Sequence, residues 1–196
     1  EFGKSLFIDN ELQVAEKDEH LYSGTFVRSA TKLNSNNAYS AIIGGGDGGV
    51  ARECLSKNFG YIDWFELDPE VVRVCRKHLS KIENKAKESN YVKCIWGDAF
   101  ENIKSVQDSK YDKIFVDLND DQYCIDLTAK NMKNLKRILK PGGVITAQVG
   151  TEDKKPKQVE SWLSVLEKSF GNTTLDRVYI PSFNCSWNFA SSVFKI

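Results

Sequence analysis

The sequence has no excess of charge of either sign. Its 196 residues carry 27 Lys and Arg against 27 Asp and Glu, which gives a formal net charge of zero at pH 7. Nucleic-acid-binding domains usually carry a basic excess, so nucleic acid is not expected as a partner. The sequence also lacks a run of ~20 apolar residues and an opening signal segment, so we expect a cytoplasmic protein without a membrane partner.

Cysteine is present, but without a pattern that indicates a structural role. The cysteines are an odd number, five, and no two of them form a C-x-x-C pair. This scatter predicts neither a zinc site nor a disulfide framework, and we expect buried free thiols in a reducing compartment. The five are Cys54, Cys75, Cys94, Cys124 and Cys185.

From residue 38 onward, short apolar segments alternate with longer amphipathic stretches. The apolar segments predict strands, the stretches predict helices, and their alternation predicts a Rossmann-like, doubly wound α/β sheet. The last two strands, joined by a short turn, predict an antiparallel C-terminal edge. The predicted strands are 41–43, 61–66, 91–96, 113–117, 144–149, 175–180 and 187–194, and the main helices are 50–57, 69–82, 127–139 and 158–170.

The first thirty residues precede this alternation. Two short apolar segments flank a polar turn at residues 9–11, which predicts a β-hairpin. Residues 17–30 predict a helix. We therefore divide the chain into an N-terminal unit of hairpin and helix, residues 1–30, and a Rossmann-like domain, residues 31–196.

Four carboxylates stand at the ends of the first four predicted strands of this domain. Ligands of doubly wound sheets bind beyond the carboxyl ends of the strands, and those ends share one edge of the sheet. One acid at a strand end is common by chance, but four in succession indicate a binding site. They are Asp47, Glu66, Asp98 and Asp117.

Glycines follow the first of these strands at the spacing G-x-G-x-x-G. Gly44, Gly46 and Gly49 stand between a predicted strand and a predicted helix, where glycine lets the backbone turn tightly and approach a ligand. Glu66, twenty residues after Gly46, suits an acid that accepts hydrogen bonds from the two ribose hydroxyls of a nucleotide. The alternative is a glycine turn that only helps the helix to pack.

The ligand is expected to be an adenosyl compound rather than a dinucleotide. Asp47 stands inside the glycine loop, and two unit charges ~4 Å apart at an effective dielectric of ~20 interact by roughly 4 kcal/mol, so a diphosphate would be repelled. Asp98 and Ala99 follow the third strand, where sheets of the class I methyltransferase type hold the adenine amine.

Segments along nearly the whole chain resemble the polyamine aminopropyltransferases, the spermidine and spermine synthases. The most specific segment is IGGGDGG, residues 43–49. The others occur in the order and spacing of that family. They are Phe2, Gly3, Asp9, Leu12, Gln13, Asp18, Glu19 and Tyr22 near the N-terminus, then residues 65–68, 97–99, 116–120, 139–143, 147–148 and 180–183, and Trp187.

At the nucleotide end, the resemblance implies a co-substrate, decarboxylated S-adenosylmethionine, and no tightly bound cofactor or metal. Asp47 is implied to hold the amine of the aminopropyl arm, Glu66 the ribose, and Asp98 with Ala99 the adenine. An independent argument supports the first role. Intact S-adenosylmethionine carries a carboxylate beside its amine, and Asp47 would repel that carboxylate while attracting the ammonium of the decarboxylated form.

At the acceptor end, the resemblance implies that Asp117 receives the proton of the attacking amine. Only a neutral amine attacks carbon, and neutralising an alkyl ammonium of pKa ~10 at pH 7 costs about 4 kcal/mol, so a base is needed. The sulfonium is already a good leaving group. Asp120 is implied to hold the cationic polyamine. Tyr22 is implied to be catalytic beside Asp117, and Gln13 to bind the co-substrate where the sulfonium meets the acceptor end. The other residues implied to bind the acceptor are Gln148, Phe183 and Trp187.

The chain departs from the family pattern at three places. Ser23 and Gly24 replace a polar or acidic pair, Asp121 replaces a proline, and only one hairpin precedes the core. We read this hairpin as the remnant of an N-terminal β-domain, in a chain that is either truncated or a minimal member. The resemblance also implies a homodimer.

The acceptor and the reaction each have an alternative. Putrescine and spermidine are both candidate acceptors. The short 181–183 loop and the pair Asp117-Leu118 resemble the spermine and thermospermine synthases more than the spermidine synthases. A methyltransferase acting on an amine is one alternative activity on the same fold. A non-catalytic polyamine-binding protein is another.

Overall fold

The computed structural model describes residues 1–195, which form a two-stranded N-terminal sheet and a seven-stranded central sheet. The strands are β1 (Ser5–Ile8), β2 (Glu11–Ala15), β3 (Tyr39–Gly44), β4 (Tyr61–Glu66), β5 (Val92–Trp96), β6 (Tyr111–Asp117), β7 (Leu139–Gly150), β8 (Thr173–Ile180) and β9 (Cys185–Val193). The α-helices are α1 (Glu19–Thr31), α2 (Gly49–Ser56), α3 (Pro69–His78), α4 (Ser80–Glu83), α5 (Ala99–Asn102), α6 (Gln122–Ile138) and α7 (Pro156–Phe170).

The strand order of the central sheet reverses beside β3. From one edge to the other the order is β5-β4-β3-β6-β7-β9-β8, and β3 pairs in parallel with both β4 and β6. The gap between β3 and β6 is therefore the switch point at which doubly wound sheets bind ligands. The antiparallel strand β9 lies between β7 and β8. The predicted doubly wound sheet with an antiparallel C-terminal strand is confirmed, although that strand lies one position inside the edge.

The central strands are apolar on both faces because helices cover both. Ile43 and Val116 face one side and pack in the same cluster as Trp162 of α7. Their neighbours Ile42 and Phe115 face the other side, in the cluster formed with helices α1 and α2. The alternation follows the two-residue period of a strand. It explains why the buried parallel strands appear in the sequence as continuous apolar runs.

Aspartates cap α3 and α6, and these two helices differ in extent from the prediction. Asp68 caps α3, its carboxylate accepting from the Glu70 amide at 2.8 Å. The helix predicted over residues 69–82 is interrupted at Leu79, which leaves helical geometry and is buried in a small cluster beneath the hairpin. Helix α6 begins five residues earlier than predicted, because Asp121 caps it by accepting from the Cys124 amide at 2.8 Å.

The N-terminal helix and hairpin contact different parts of the molecule. Phe26 of α1 stacks on Phe189 of β9, with ring centroids 4.8 Å apart, and lies in the core of the central sheet. The hairpin forms its own sheet and packs through Val14 against Leu79 and Ile82. The division at residue 30 stays a prediction.

No helix among residues 1–195 combines the length and apolarity that crossing a membrane requires. All five cysteines are free. Cys54, Cys75 and Cys185 are buried, and Cys94 and Cys124 are half-buried.

One lysine lies wholly inside the core. Lys113 of β6 is buried, donates a hydrogen bond to the Asn36 carbonyl and has its ammonium 5.5 Å from the centroid of the Phe59 ring. Burial lowers the pKa of Lys113 to about 8. Between that value and the unfolded pKa of ~10.4, the unfolded chain binds more protons than the folded chain. Lys113 therefore lowers the free energy of unfolding by its full amount below about pH 8, and by less and less as the pH rises towards ~10.4.

Lys113→Met is therefore expected to raise the free energy of unfolding at pH 7 by about 1–3 kcal/mol, the gain from removing a buried charge less the lost hydrogen bond. Urea unfolding at pH 7 and pH 10 measures it, and the gain should shrink at pH 10. Lys93→Met, at an exposed position of β5, is the control. A gain that stays constant from pH 7 to pH 10 would exclude a depressed pKa at Lys113.

Candidate active site

A cavity of about 720 Å³ opens at the carboxyl ends of β3 and β6, at the switch point of the sheet. Its walls come from the hairpin, the start of α1, the loop after β3, the end of β4, the segment after β6 and the 180–187 region. Of the residues predicted to form the site, most line this cavity. They are Gln13, Tyr22, Gly44, Gly46, Asp47, Glu66, Asp117, Asp120, Gln148, Phe183 and Trp187.

The glycine loop brings the ends of β3 and β6 together. Gly44 has φ +80°, and a Cβ at this position would lie 2.2 Å from the Asp117 carbonyl oxygen, so glycine is required there. The Gly45 amide donates to the same carbonyl at 3.1 Å. These contacts hold Asp117, at the end of β6, against the glycine loop. The same loop carries Asp47.

Asp117 and Tyr22, 95 residues apart in the chain, form a hydrogen-bonded pair. The Tyr22 hydroxyl donates to Asp117 Oδ1 at 2.6 Å. Burial raises the pKa of Asp117 to about 7, the hydrogen bond from Tyr22 opposes the rise, and the charges of Glu66 and Glu19 add to it. A carboxylate with this pKa is a much better proton acceptor at neutral pH than an ordinary aspartate.

The aromatic ring of Tyr22 is held by its neighbours. It makes edge contacts with Phe26 and Phe189, whose ring centroids are 6.0 and 4.9 Å away. Burial, followed by the charge of Asp117, raises the pKa of Tyr22 well above its ordinary value. Tyr22 is therefore a fixed hydrogen-bond donor at neutral pH rather than a base.

Asp47 lies at the start of α2. Its carboxylate accepts from the Gly49 amide at 2.6 Å. Burial raises the pKa of Asp47, the charges of Glu19 and Asp117 raise it further, and the Gly49 amide opposes the rise. A cationic ligand that reaches this group would remove the mutual repulsion of the acids and return Asp47 to its charged form.

Glu66 ends β4 and is almost fully buried. Its Oε1 accepts from the Asp68 amide at 3.0 Å, while a Cβ added at Gly46 would lie 3.0 Å from its Oε2. Burial raises the pKa of Glu66. The carboxylate thus lies along one side of the glycine loop. Its contact with ribose hydroxyls stays a prediction.

Gln148, Trp187 and Phe183 contact one another and form a further wall of the cavity. Gln148 Oε1 accepts from the Trp187 indole at 3.1 Å, and its amide donates to the Leu118 carbonyl. The Phe183 and Trp187 rings have centroids 5.0 Å apart. Asp18, before α1, accepts from the Ser182 amide at 2.7 Å and joins this wall to the N-terminal helix.

Asp98 and Ala99 are the predicted site residues that do not line the cavity. Asp98 is exposed and caps α5, accepting from the Phe100 amide at 2.8 Å. Helix-capping chemistry alone accounts for an aspartate at this position. Their contact with adenine stays a prediction.

Sequence reasoning missed the buried ion pair behind the glycine loop. Arg52 of α2 contacts both carboxylate oxygens of Glu19, at 2.5 and 3.3 Å, and donates to the Ile82 carbonyl at 2.9 Å. A Cβ at Gly49 would lie 2.1 Å from Glu19 Oε1, so glycine at position 49 leaves the room that the Glu19 carboxylate occupies. The unusual Ser23 is buried here and donates to Glu19.

The lining of the cavity is strongly acidic. It contains eight carboxylates against two lysines, Lys154 and Lys155, neither of which was predicted in the site. Such a surface attracts cations and repels phosphates. The eight are Glu11, Asp18, Glu19, Asp47, Glu66, Asp68, Asp117 and Asp120.

Comparison with known proteins finds one family. The model of the "Spermine/spermidine synthase domain" matches residues 19–195. A protein of Korarchaeum cryptofilum (strain OPF8) named polyamine aminopropyltransferase is 29% identical over 191 residues, which are 96% of this chain and 59% of that protein. One of the same name from Prochlorococcus marinus (strain NATL2A) is 32% identical over 198 residues, 97% of this chain and 68% of that protein.

Solved structures show the same fold. A spermidine synthase in complex with the transition state analogue AdoDATO superimposes with a TM-score of 0.92 at 21% identity, covering all of this chain and 68% of the other. The spermidine synthase of Thermotoga maritima gives a TM-score of 0.91, also at 21% identity, over all of this chain and 67% of the other.

Proposed function

The chain belongs to the spermine/spermidine synthase domain family, and from this premise we propose that it transfers the aminopropyl group of decarboxylated S-adenosylmethionine to the amine of a polyamine. The observation that carries the proposal is the Asp117–Tyr22 pair in an acidic cavity at the switch point of the sheet. Both proposed substrates are cations, and this cavity attracts cations.

The reaction needs a base for the acceptor and a leaving group on the donor. The neutral nitrogen attacks the carbon bonded to the sulfonium, the C–S bond breaks, and its electron pair returns to sulfur to give a neutral thioether, methylthioadenosine. The proton that leaves the nitrogen passes to Asp117. The pKa of Asp117 is about 7 instead of 3.8, so the difference between its pKa and that of an alkyl ammonium, ~10, is smaller by about three units.

The remaining residues of the cavity bind and orient the substrates. Asp47 suits the ammonium of the aminopropyl arm, and Glu66 suits the ribose hydroxyls. Tyr22 holds the Asp117 carboxylate in one orientation through its hydrogen bond. The aromatic wall of Phe183 and Trp187 suits the methylene chain of the acceptor, whose positive charge meets Asp120.

Product analysis tests the activity directly. The chain is incubated with decarboxylated or intact S-adenosylmethionine and with putrescine or spermidine, and mass spectrometry identifies the product. We expect an aminopropylated amine and methylthioadenosine from the decarboxylated donor alone. A methylated amine from the intact donor would favour the methyltransferase alternative. Polyamine binding without any product would favour the non-catalytic one. The same panel identifies the acceptor, and light scattering tests the implied homodimer.

Asp47→Asn is expected to reduce the preference for decarboxylated over intact S-adenosylmethionine by about tenfold or more, the usual value of a hydrogen bond to a charged group. The amide no longer attracts the ammonium and no longer repels the carboxylate. Calorimetric titration of the two ligands measures the ratio of affinities. Glu160→Gln, which removes an exposed carboxylate outside the cavity, is the control. An unchanged ratio would remove Asp47 from the aminopropyl pocket.

A further inference from the structure

Asp120 is already neutralised by a residue of the chain itself. Its carboxylate oxygens lie 3.4 and 3.3 Å from the ammonium of Lys155, which comes from the segment between β7 and α7. The Asp120 side chain is only 14% exposed, whereas that of Lys155 is 38% exposed. A cation of this protein therefore occupies the position at the acceptor end where the ammonium of a polyamine would bind.

Of the two partners, Asp120 is fixed and Lys155 is movable. Asp120 packs over Gly150, where an added Cβ would lie 2.8 Å from its Oδ2, so the carboxylate has little room. Lys155 reaches it with a flexible four-carbon stem whose ammonium can turn to solvent.

Displacing the Lys155 side chain need not disturb the backbone that carries it. The Lys155 amide donates to the Thr151 carbonyl at 2.9 Å. Asp153, two residues earlier, accepts from Arg177 at 2.8 Å and from the Ser186 amide at 3.1 Å. These contacts hold the segment to the central sheet, and none of them involves the Lys155 side chain.

We propose that the Lys155 ammonium is a resident competitor of the acceptor: it pairs with Asp120 in the unliganded chain, and a polyamine ammonium must displace it to bind. Lys155 is thereby a specificity-determining residue that weakens acceptor binding and leaves the nucleotide end unchanged. This inference rests on the proposed function, because it takes a polyamine to be the ligand at Asp120.

The expected effect is modest because the pair is partly exposed. Exposed ion pairs contribute little to stability, and displacing this one should weaken polyamine binding by about three- to fivefold. Lys155→Gln should therefore tighten polyamine binding by that factor. It removes the competing charge and keeps a polar side chain of similar length.

The test is calorimetric titration of spermidine into the full chain saturated with methylthioadenosine. Wild type, Lys155→Gln, Asp120→Asn and the double variant are compared, with Lys157→Gln, an exposed lysine of α7 outside the cavity, as the matched control. We expect Lys155→Gln to bind spermidine about three to five times more tightly, with Lys157→Gln unchanged. On the Asp120→Asn background the Lys155 substitution should have no effect, because the pair is already absent.

The outcomes separate this inference from the proposed function. Spermidine binding that is unchanged or weakened in Lys155→Gln would overturn the inference while leaving the proposed function standing. If Lys155→Gln tightened spermidine binding by the same factor on the Asp120→Asn background, the inference would also be overturned, since Lys155 would then not compete for Asp120. A wild-type chain that neither binds spermidine nor transfers an aminopropyl group would overturn the proposed function, and this inference with it.

Discussion

Asp117→Asn is expected to lower the turnover number at pH 7 by about 10²–10⁴-fold, the usual loss when a general base is removed. The amide can still accept a hydrogen bond from Tyr22, but it cannot take the proton of the attacking amine. Nucleotide binding should be nearly unchanged, because the role proposed for Asp117 is at the acceptor amine rather than at the ribose. Steady-state kinetics and calorimetric titration of methylthioadenosine measure the two effects separately.

The pH profile identifies the base. The pKa of Asp117 is about 7, so the wild-type rate should fall as the pH drops below 7 and the carboxylate becomes protonated. Asp117→Asn should lose the inflection near pH 7. Its rate should instead rise steadily with pH up to the pKa of the acceptor amine, ~10, because more of the amine is then neutral in solution. Retention of more than about a tenth of wild-type turnover at pH 7 would contradict the role of Asp117. A water held by Asp120 would then be the better candidate for the base.

Arg52→Met is expected to lower the free energy of unfolding by about 3–5 kcal/mol, the usual cost of leaving one partner of a buried ion pair uncompensated. The Glu19 side chain is only 3% exposed, and Arg52 is its cationic partner. Glu19 also raises the pKa of Asp47 and of Asp117, so the unpaired charge would disturb both. Urea unfolding measures the loss.

The matched control is Arg73→Met. Arg73 also pairs with a glutamate, Glu70, but both side chains are more than half exposed, and such pairs contribute at most ~1 kcal/mol. Methionine keeps most of the apolar stem of arginine in both variants. Equal losses from the two substitutions would contradict the view that burial, rather than pairing itself, gives Arg52 its importance.

Much of the fold follows from patterns that are local in the sequence. The strand ending at Glu66 has the predicted bounds because its apolar run is bounded by a glycine and by the Asp68 cap of the next helix. The helix that begins at Gln122 was predicted too short, since its first turn carries no apolar periodicity and only its cap marks it. The break at Leu79 was not predicted because it depends on packing beneath the hairpin, which the local sequence does not show.

The candidate site was predicted most completely where topology alone brings residues together. Asp47, Glu66 and Asp117 line one cavity because the carboxyl ends of neighbouring parallel strands share one edge. Asp98 follows the edge strand β5, farther from the switch point, and lies outside the lining. Lys155 was not predicted in the site, because nothing near it in the sequence indicates a partner 35 positions away.

The sequence by itself determined the alternation of strands and helices, the glycine loop and the row of acids at the strand ends, because each depends on residues close together in the chain. Only the tertiary structure decided which charges meet. It brings Tyr22 to Asp117, Arg52 to Glu19 and Lys155 to Asp120. Burial then sets the pKa of Asp117 near neutrality. The physical reason is that charge pairing and desolvation depend on distance in space, which the order of residues does not specify.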